Sequence, residues 1–485
     1  MRILLVLVLL AASTAAIAAP SDDTWMTVLL DGRKIGNMHL TRRVEGDRVI
    51  TTQALSIELA RTGIKVGLSS SETDAETRDG TPIAFESRSS ISGIESVITG
   101  KVHDDGTCEV TTNIGGNPQT RTIAWPKGAL LAEGLRLAEA KTSLKPGGRF
   151  SELAFQAESL DAVEVSTTIG TGERVDLPGG ARKLVRIEQL IELPGAPTKS
   201  VAWVNDDQDI QKMKMSVMGY ELTMLACSRA CAQAPNQSAD ILTHALAPAP
   251  SALTPDDLRH GVIIRMSSMQ ADAPLSFAAT DEQRVTKLGN GAELRIAPIS
   301  ADASNDSEGV PQPSDSKPND WLQSDAPEVR KLAQQGAGDA KDPLTQMQNL
   351  ESFVRGFIRN KNLSVGYASA LEVAKNPEGD CTEHAVLLAA FGRSLGIPTR
   401  VVDGLAYTNH YADVDHVFVP HAWAQAWVGG KWQSFDAALL GFDAGHIALS
   451  VGDGDPWRFF AGLETLGRMK VDSIAPLPPS QTKPN

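Results

Sequence analysis

From His421 to Trp427 the chain reads His-Ala-Trp-Ala-Gln-Ala-Trp, an unbroken alternation that a β-strand sorts onto two faces. Val428-Gly429-Gly430-Lys431 follows, and then Trp432-Gln-Ser-Phe-Asp436. Two glycines between such runs mark a two-residue hairpin turn, whose central positions need positive φ. That turn pairs Val428 with Lys431 and puts Asp436 opposite Trp423. His421 and Asp436 then share a face as diagonal neighbours within side-chain reach. A slip of one residue would send them to opposite faces. The pattern therefore sets a hairpin, a register and a histidine–carboxylate pair together. A carboxylate that holds one imidazole nitrogen leaves the other for a nucleophile.

Three helices are expected upstream. Asp342-Pro343 opens the first, with proline suited to a first turn, and Leu344, Met347, Leu350, Val354, Phe357 and Ile358 give it one apolar face. The second starts at Ser369, with Glu372 completing a capping box, and ends before Asn376-Pro377-Glu378-Gly379. The third runs from Cys381 to Leu395 and is stopped by Gly396-Ile397-Pro398. Asp380 is its N-cap and Glu383 closes the box, so Cys381 takes the first helical position. Amide N–H groups and the positive helix end favour a thiolate there. Asp380 and Glu383 oppose it by repulsion, so a nearby histidine must supply much of the activation. Alone, a cysteine on a helix is a small buried hydrophobe. Joined to His421 and Asp436, it is a candidate nucleophile. Strands over Thr399–Tyr407, His421–Val428 and Lys431–Asp436 complete an α+β unit with its helices ahead of its sheet.

Gly379-Asp-Cys381-Thr-Glu-His-Ala385, then Arg393-Ser-Leu-Gly-Ile-Pro-Thr-Arg400-Val-Val-Asp-Gly404, then His421-Ala-Trp423, Trp432 and Asp436 resembles the transglutaminase-like superfamily over about residues 325–450. The resemblance implies a papain-like α+β core with a Cys-His-Asp triad. It makes Cys381 the nucleophile, His421 the general base and acid, and Asp436 the orienting acid. The chain departs from the pattern at Ala437-Ala438, where many members carry Pro or Thr. The implied chemistry is acyl transfer on protein or peptide amide bonds through a thioester, with the Cys381 backbone N–H as a first oxyanion donor. The superfamily holds crosslinkers, peptidases, amidases and inactive copies. Two alternatives therefore stand: a protein-glutamine γ-glutamyltransferase, or a non-catalytic binding scaffold. Hydrolysis is slightly favoured, because transfer to an amine needs a site that excludes water and none is legible. No cofactor is expected. Nor is a metal, since no four-ligand spacing occurs. His384, one turn after Cys381, and His410 and His416, in the loop before the His421 strand, read as structural or cleft-lining residues.

The rest of the chain is organised differently. Arg2, the apolar run Ile3–Ala12 and Ala16-Ile17-Ala18 read as a cleavable secretory signal over residues 1–19, too short to span a bilayer permanently. The mature protein is accordingly expected in the periplasm or secreted, with no integral membrane segment. Residues 20–231 alternate apolar and polar with frequent turn residues, as in Val185-Arg-Ile187-Glu188, which predicts a largely antiparallel β domain with one helix near Ala129–Lys141. The opening Trp25-Met-Thr-Val-Leu-Leu-Asp-Gly-Arg-Lys-Ile-Gly36 resembles the first hairpin of exported bacterial domains built as a large curved sheet. Residues 232–260 and 301–320, rich in Ala, Pro, Ser and Asp, read as linkers. Between them lies a small β segment at 261–300, too short to bury a core alone. The catalytic domain is then 321–485.

Export admits disulfides, and among Cys108, Cys227, Cys231 and Cys381 the close Cys227/Cys231 pair favours a local bridge; a bridge from Cys108 to either is the next choice. The formal charge of −14 argues against nucleic acid and anionic membrane as general partners. A protein or peptide substrate is the expected partner.

Overall fold

The computed structural model of the 485-residue chain describes residues 23–61, 64–91, 94–114, 116–192, 198–217, 220–237, 245–270, 274–299, 308–361, 368–454 and 466–478. The segment read as a signal peptide lies outside them. The chain divides into two compact units, Met1–Ile241 and Leu242–Asn485.

The first unit is built on one fourteen-stranded sheet, antiparallel at every pairing described. Its first strand, Asp23–Leu30, lies inside the sheet between Arg33–Glu45 and Tyr220–Cys227; the chain meanders outward from it to one edge at Asn117–Ala124, then re-enters at the other edge with Arg149–Gln156 and meanders back inward. Short loops between neighbouring strands make this the simplest route for alternating sequence. The expected helix is present as Ala132–Ala140. Its N-cap residue, Leu131, has no capping side chain; instead Glu76 of the sheet accepts the backbone N–H groups of Glu133 and Gly134 at 2.5 and 2.8 Å. A carboxylate at a helix start satisfies orphan donors and the helix dipole together. That carboxylate is fully buried, and burial pushes its pKa up to about 8; burial pushes neighbouring Asp74 up to about 7. Cys227 and Cys231 form the local disulfide, while Cys108 is free and packed among Phe85, Ile98, Val110 and Phe155.

Four of the described helices of the second unit pack together: Pro327–Ala337, Pro343–Phe357, Ala370–Lys375 and Cys381–Ser394, of which the second and the last also meet the unit's central sheet. The last is buried from Glu383 to Arg393 and packs on the strand Val414–Val428. That strand pairs with Thr399–Tyr411, which pairs in turn with His446–Gly452. On its other side it carries two partners in succession: Ala247–Pro248 against Phe418 and Val417, and Lys431–Phe435 against Val428 to Ala424. Pro420 and His421 fall between these two partners. A proline there forgoes no ladder bond on that side.

Arg393 locks the end of the buried helix to the sheet, donating to the Thr399 carbonyl at 3.1 and 2.9 Å. A separate four-stranded sheet joins Val262–Ser268, Gln283–Leu288 and Gly291–Ile296 to Met469–Pro476 from the far end of the unit. The small β segment read at 261–300 thus pairs with that distant strand.

The stretches read as linkers carry structure where they are described. Ala247–Pro248 forms the edge strand on Phe418 and Val417, and Pro255–His260 is a helix with a full Thr254/Asp257 capping box. Within 301–320, Glu308 is ion-paired to Arg400 at 2.7 Å, with its side chain only 5% exposed. These contacts are polar or only a few residues long, so they leave no apolar period in the sequence.

Candidate active site

The expected hairpin is present in the expected register: Val428 faces Lys431, Trp427 faces Trp432 and Ala424 faces Phe435. Gly429 and Gly430 turn it at φ 61° and 79°. Asp436 follows directly, and its Oδ2 lies 2.8 Å from His421 Nε2. The imidazole is thereby tied through Nε2, which leaves Nδ1 for a second partner.

Asp436 is held from several directions. Its Oδ1 accepts the backbone N–H groups of Ala438 at 2.8 Å and Leu439 at 3.1 Å. Its own N–H donates to Glu351 Oε1 at 2.7 Å, and its carbonyl accepts from Arg355 at 3.1 Å. Glu351 and Arg355 stand one turn apart on the helix Pro343–Phe357, so that helix sets the position of the Asp436 backbone. Burial acts to raise the Asp436 pKa. His421 and then His446 outweigh it and hold the carboxyl well below the usual carboxylate range.

Cys381 opens its helix as expected, half-buried, behind a complete capping box: Thr382 N–H donates to Asp380 Oδ1 at 3.0 Å and Asp380 N–H to Glu383 Oε2 at 2.8 Å. The repulsion expected from Glu383 is weakened. Burial first, and then the charge of Asp380, push its pKa well above the normal value, which disfavours its charged form. One turn on, His384 Nδ1 lies 2.6 Å from the Asp380 carbonyl, while its buried Nε2 has no partner among the described residues. Burial lowers the His384 pKa, and the Asp436 charge is among those acting against that. Asp436 therefore lies within electrostatic range of the helix turn that begins at Cys381.

The sequence profile of the transglutaminase-like superfamily matches residues 330–437. Those residues form a transglutaminase-like domain. No curated protein matches the chain. Among solved structures, the chain is similar to a candidate cysteine protease from Cytophaga hutchinsonii, at 16% identity and TM-score 0.27 over 45% of this chain and 83% of that one. It is also similar to a β-barrel-like protein from Brucella abortus, at 12% and 0.33 over 42% and 95%. A third likeness is the periplasmic domain of TgpA from Pseudomonas aeruginosa, at 16% and 0.27 over 40% and 88%.

One residue of the second unit escaped the sequence reading. His446 opens the strand His446–Gly452, beyond the profile match, and places Nε2 3.0 Å from Asp436 Oδ2. Asp436 thus serves two imidazoles. His446 is wedged against Trp423 and Phe442, with ring centroids 5.1 and 4.9 Å away. Its sequence signal is faint: a lone histidine after a loop, whose length leaves the register to Asp436 open. Ligand-type atoms of His421, Asp436 and His446 lie within 4.8 Å of one another, a spacing a cation could share. In the geometry described they satisfy each other as hydrogen-bond partners.

Behind the hairpin, Arg400 stacks on Trp432 at 3.5 Å from the ring centroid and pairs with Glu308. Gln425 Nε2 and the backbone N–H of Asp281 also donate to Glu308 Oε2, both at 3.0 Å. His410 pairs with Asp415 at the exposed far end of its strand, and His416 Nδ1 meets the Tyr407 hydroxyl at 3.1 Å. Neither has a described contact with His421 or Asp436.

Proposed function

We propose that this chain is an exported cysteine-dependent acyl-transfer enzyme acting on protein or peptide amide bonds, with Cys381, His421 and Asp436 as its triad. The observation that carries the reading is the His421–Asp436 hydrogen bond, formed by the hairpin register, in a domain whose buried helix begins with a capped cysteine. Cys381 gives its proton to His421 Nδ1 and attacks the substrate carbonyl carbon. A C–S bond forms as the C–N bond breaks, and His421 returns the proton to the leaving amine. Water then attacks the thioester, with His421 again taking a proton, releasing the acid and restoring the thiol. Asp436 holds the imidazole in the tautomer and orientation this sequence needs. Hydrolysis is favoured over transfer to a second amine. The apolar run at residues 3–12 supports export, and no described helix is long and apolar enough to cross a membrane.

Iodoacetamide alkylation tests the first half. Cys381 should react at neutral pH far faster than a free thiol; reactivity equal to a free thiol would overturn the enzyme in favour of a scaffold. Incubation with a glutamine peptide and a labelled amine tests the second half, with ammonia release and little label incorporation expected. Cys381→Ala should lose activity by about 10³-fold or more. Cys108→Ala should keep it, since burial pushes that thiol's pKa up and leaves it inert.

A further inference from the structure

His446 sits where a fourth member of the site would act. It is 2% exposed, and both of its ring nitrogens face oxygen. Nε2 lies 3.0 Å from Asp436 Oδ2. Nδ1 lies 3.1 Å from both the carbonyl and the carboxylate Oδ1 of Asp443. The Asp443 backbone N–H, 3.3 Å from Nδ1, is the one donor described on that side, and it competes with two closer acceptors. An imidazole with acceptors at both ends is satisfied only when both nitrogens carry protons.

We propose that His446 is a positioning residue of the acyl-transfer site: a buried imidazolium that shares the Asp436 carboxylate with His421 and divides its charge between them. The inference rests on the triad reading given above. Burial works against the charge on His446, but Asp436 and Asp443 outweigh it and lift the pKa to about 10. Among the described residues, other ionisable groups near it are His421, with its ring centroid 5.7 Å away, and Glu282, whose carboxyl accepts the Ser434 N–H and is raised by burial to about 8.

The consequence is electrostatic. A lone buried carboxylate would direct its whole charge at His421. With His446 charged, the Asp436–His446 pair is close to neutral, and His421 faces only a fraction of that charge. The aromatic contacts with Trp423 and Phe442 keep the His446 ring from turning away.

Two measurements on the full chain test this. ¹⁵N NMR of the wild-type imidazoles should show His446 with both nitrogens protonated at pH 8. A single-tautomer neutral ring at pH 7 would overturn the proposal, whatever any variant does. The second measurement is the pH profile of Cys381 alkylation in wild type and in His446→Gln, which keeps a donor toward Asp436 and removes the charge. The alkaline limb of that profile should move up by about one pH unit in the variant, because the charge beside Asp436 is gone. Superimposable limbs in a folded variant would sink the idea, because a merely structural His446 would change amplitude without moving the limb. Should His446→Gln fail to fold, the NMR result decides alone. A wild-type Cys381 that is unreactive at every pH would instead refute the triad, which separates the two failures.

Discussion

Asp436 is the residue on which most of the site depends. It receives two imidazoles and two backbone N–H groups, and two side chains of the helix Pro343–Phe357 grip its backbone. Substitutions should therefore separate charge from structure. Asp436→Asn keeps the volume but can present an amide to His421, favouring the wrong tautomer; the rate should fall by about 10³- to 10⁴-fold while the thermal transition stays sharp. Asp436→Ala strands a buried histidine charge and should cost about 3–5 kcal/mol in urea unfolding. The acid side follows from the depressed pKa. Stability from the ionised Asp436 is complete above the unfolded carboxylate pKa, near 4, and drains away as pH falls below it. In Asp436→Asn that loss should be smaller.

At the scale of elements, the His421 strand is pinned between neighbours with no room to spare. Gly404 pairs with His421 on one side and Ala448 on the other. A Cβ there would stand 1.9 Å from the Ile447 carbonyl oxygen and 3.1 Å from the Trp423 ring. Gly404→Ala must push neighbouring strands apart, so about 1–3 kcal/mol of stability and most of the acyl-transfer rate should be lost together. Unfolding curves and initial rates on the same preparation would check it; a variant with wild-type values would show that the sheet can yield here.

These elements were unevenly legible in the sequence. The hairpin was readable because its parity, turn and partner residues all lie within sixteen residues of chain, His421 to Asp436, and the buried helix because its caps are local. The helix Pro327–Ala337 was missed because its buried face is Val329, Ala333 and Ala337, too small to raise a strong period. The His421 strand begins at Val414, seven residues before the expected start, because Pro420 reads as an interruption unless the gap beside it is known. His446 was missed for a different reason. Its role depends on pairing with Thr399–Tyr411 across a loop, and no local pattern encodes that register.

For the molecule as a whole, the buried acids with raised pKa values and His446 make stability fall as pH rises, opposite to the acid-side loss at Asp436. Asp74 and Glu76 lie in the first unit with folded pKa values near 7 and 8. Below about pH 4 both folded and unfolded chains hold those protons. Above it the unfolded chain releases them first, so stability falls as pH climbs toward 8. His446 acts the same way from the other side: its contribution is whole below about 6.5 and is lost as pH rises through about 10. The unfolding free energy of the full chain in urea should drop by a few kcal/mol between pH 5 and 9 (order of magnitude). Glu76→Gln, which keeps a side-chain acceptor for the helix start without the titration, should flatten the share of that slope belonging to the first unit. An unchanged slope would mean that the acid titrates normally in the folded state.

The strand Met469–Pro476, which closes the small sheet on Val262–Ser268, also sets a clock. The segment just before Gln283 is fastened to the active-site strands: Gln283 Nε2 donates to the Ala448 carbonyl and Glu282 accepts the Ser434 N–H. That segment leads directly into a sheet which stays one strand short until the last stretch of the unit has been made. Pairing across such a sequence distance is slow to form. A chain emerging N-terminus first would therefore carry its cysteine, histidine and aspartate some time before the scaffold beside them is complete. If folding follows that order, the strand Met469–Pro476 completes the sheet only after the residues of the proposed triad have been made.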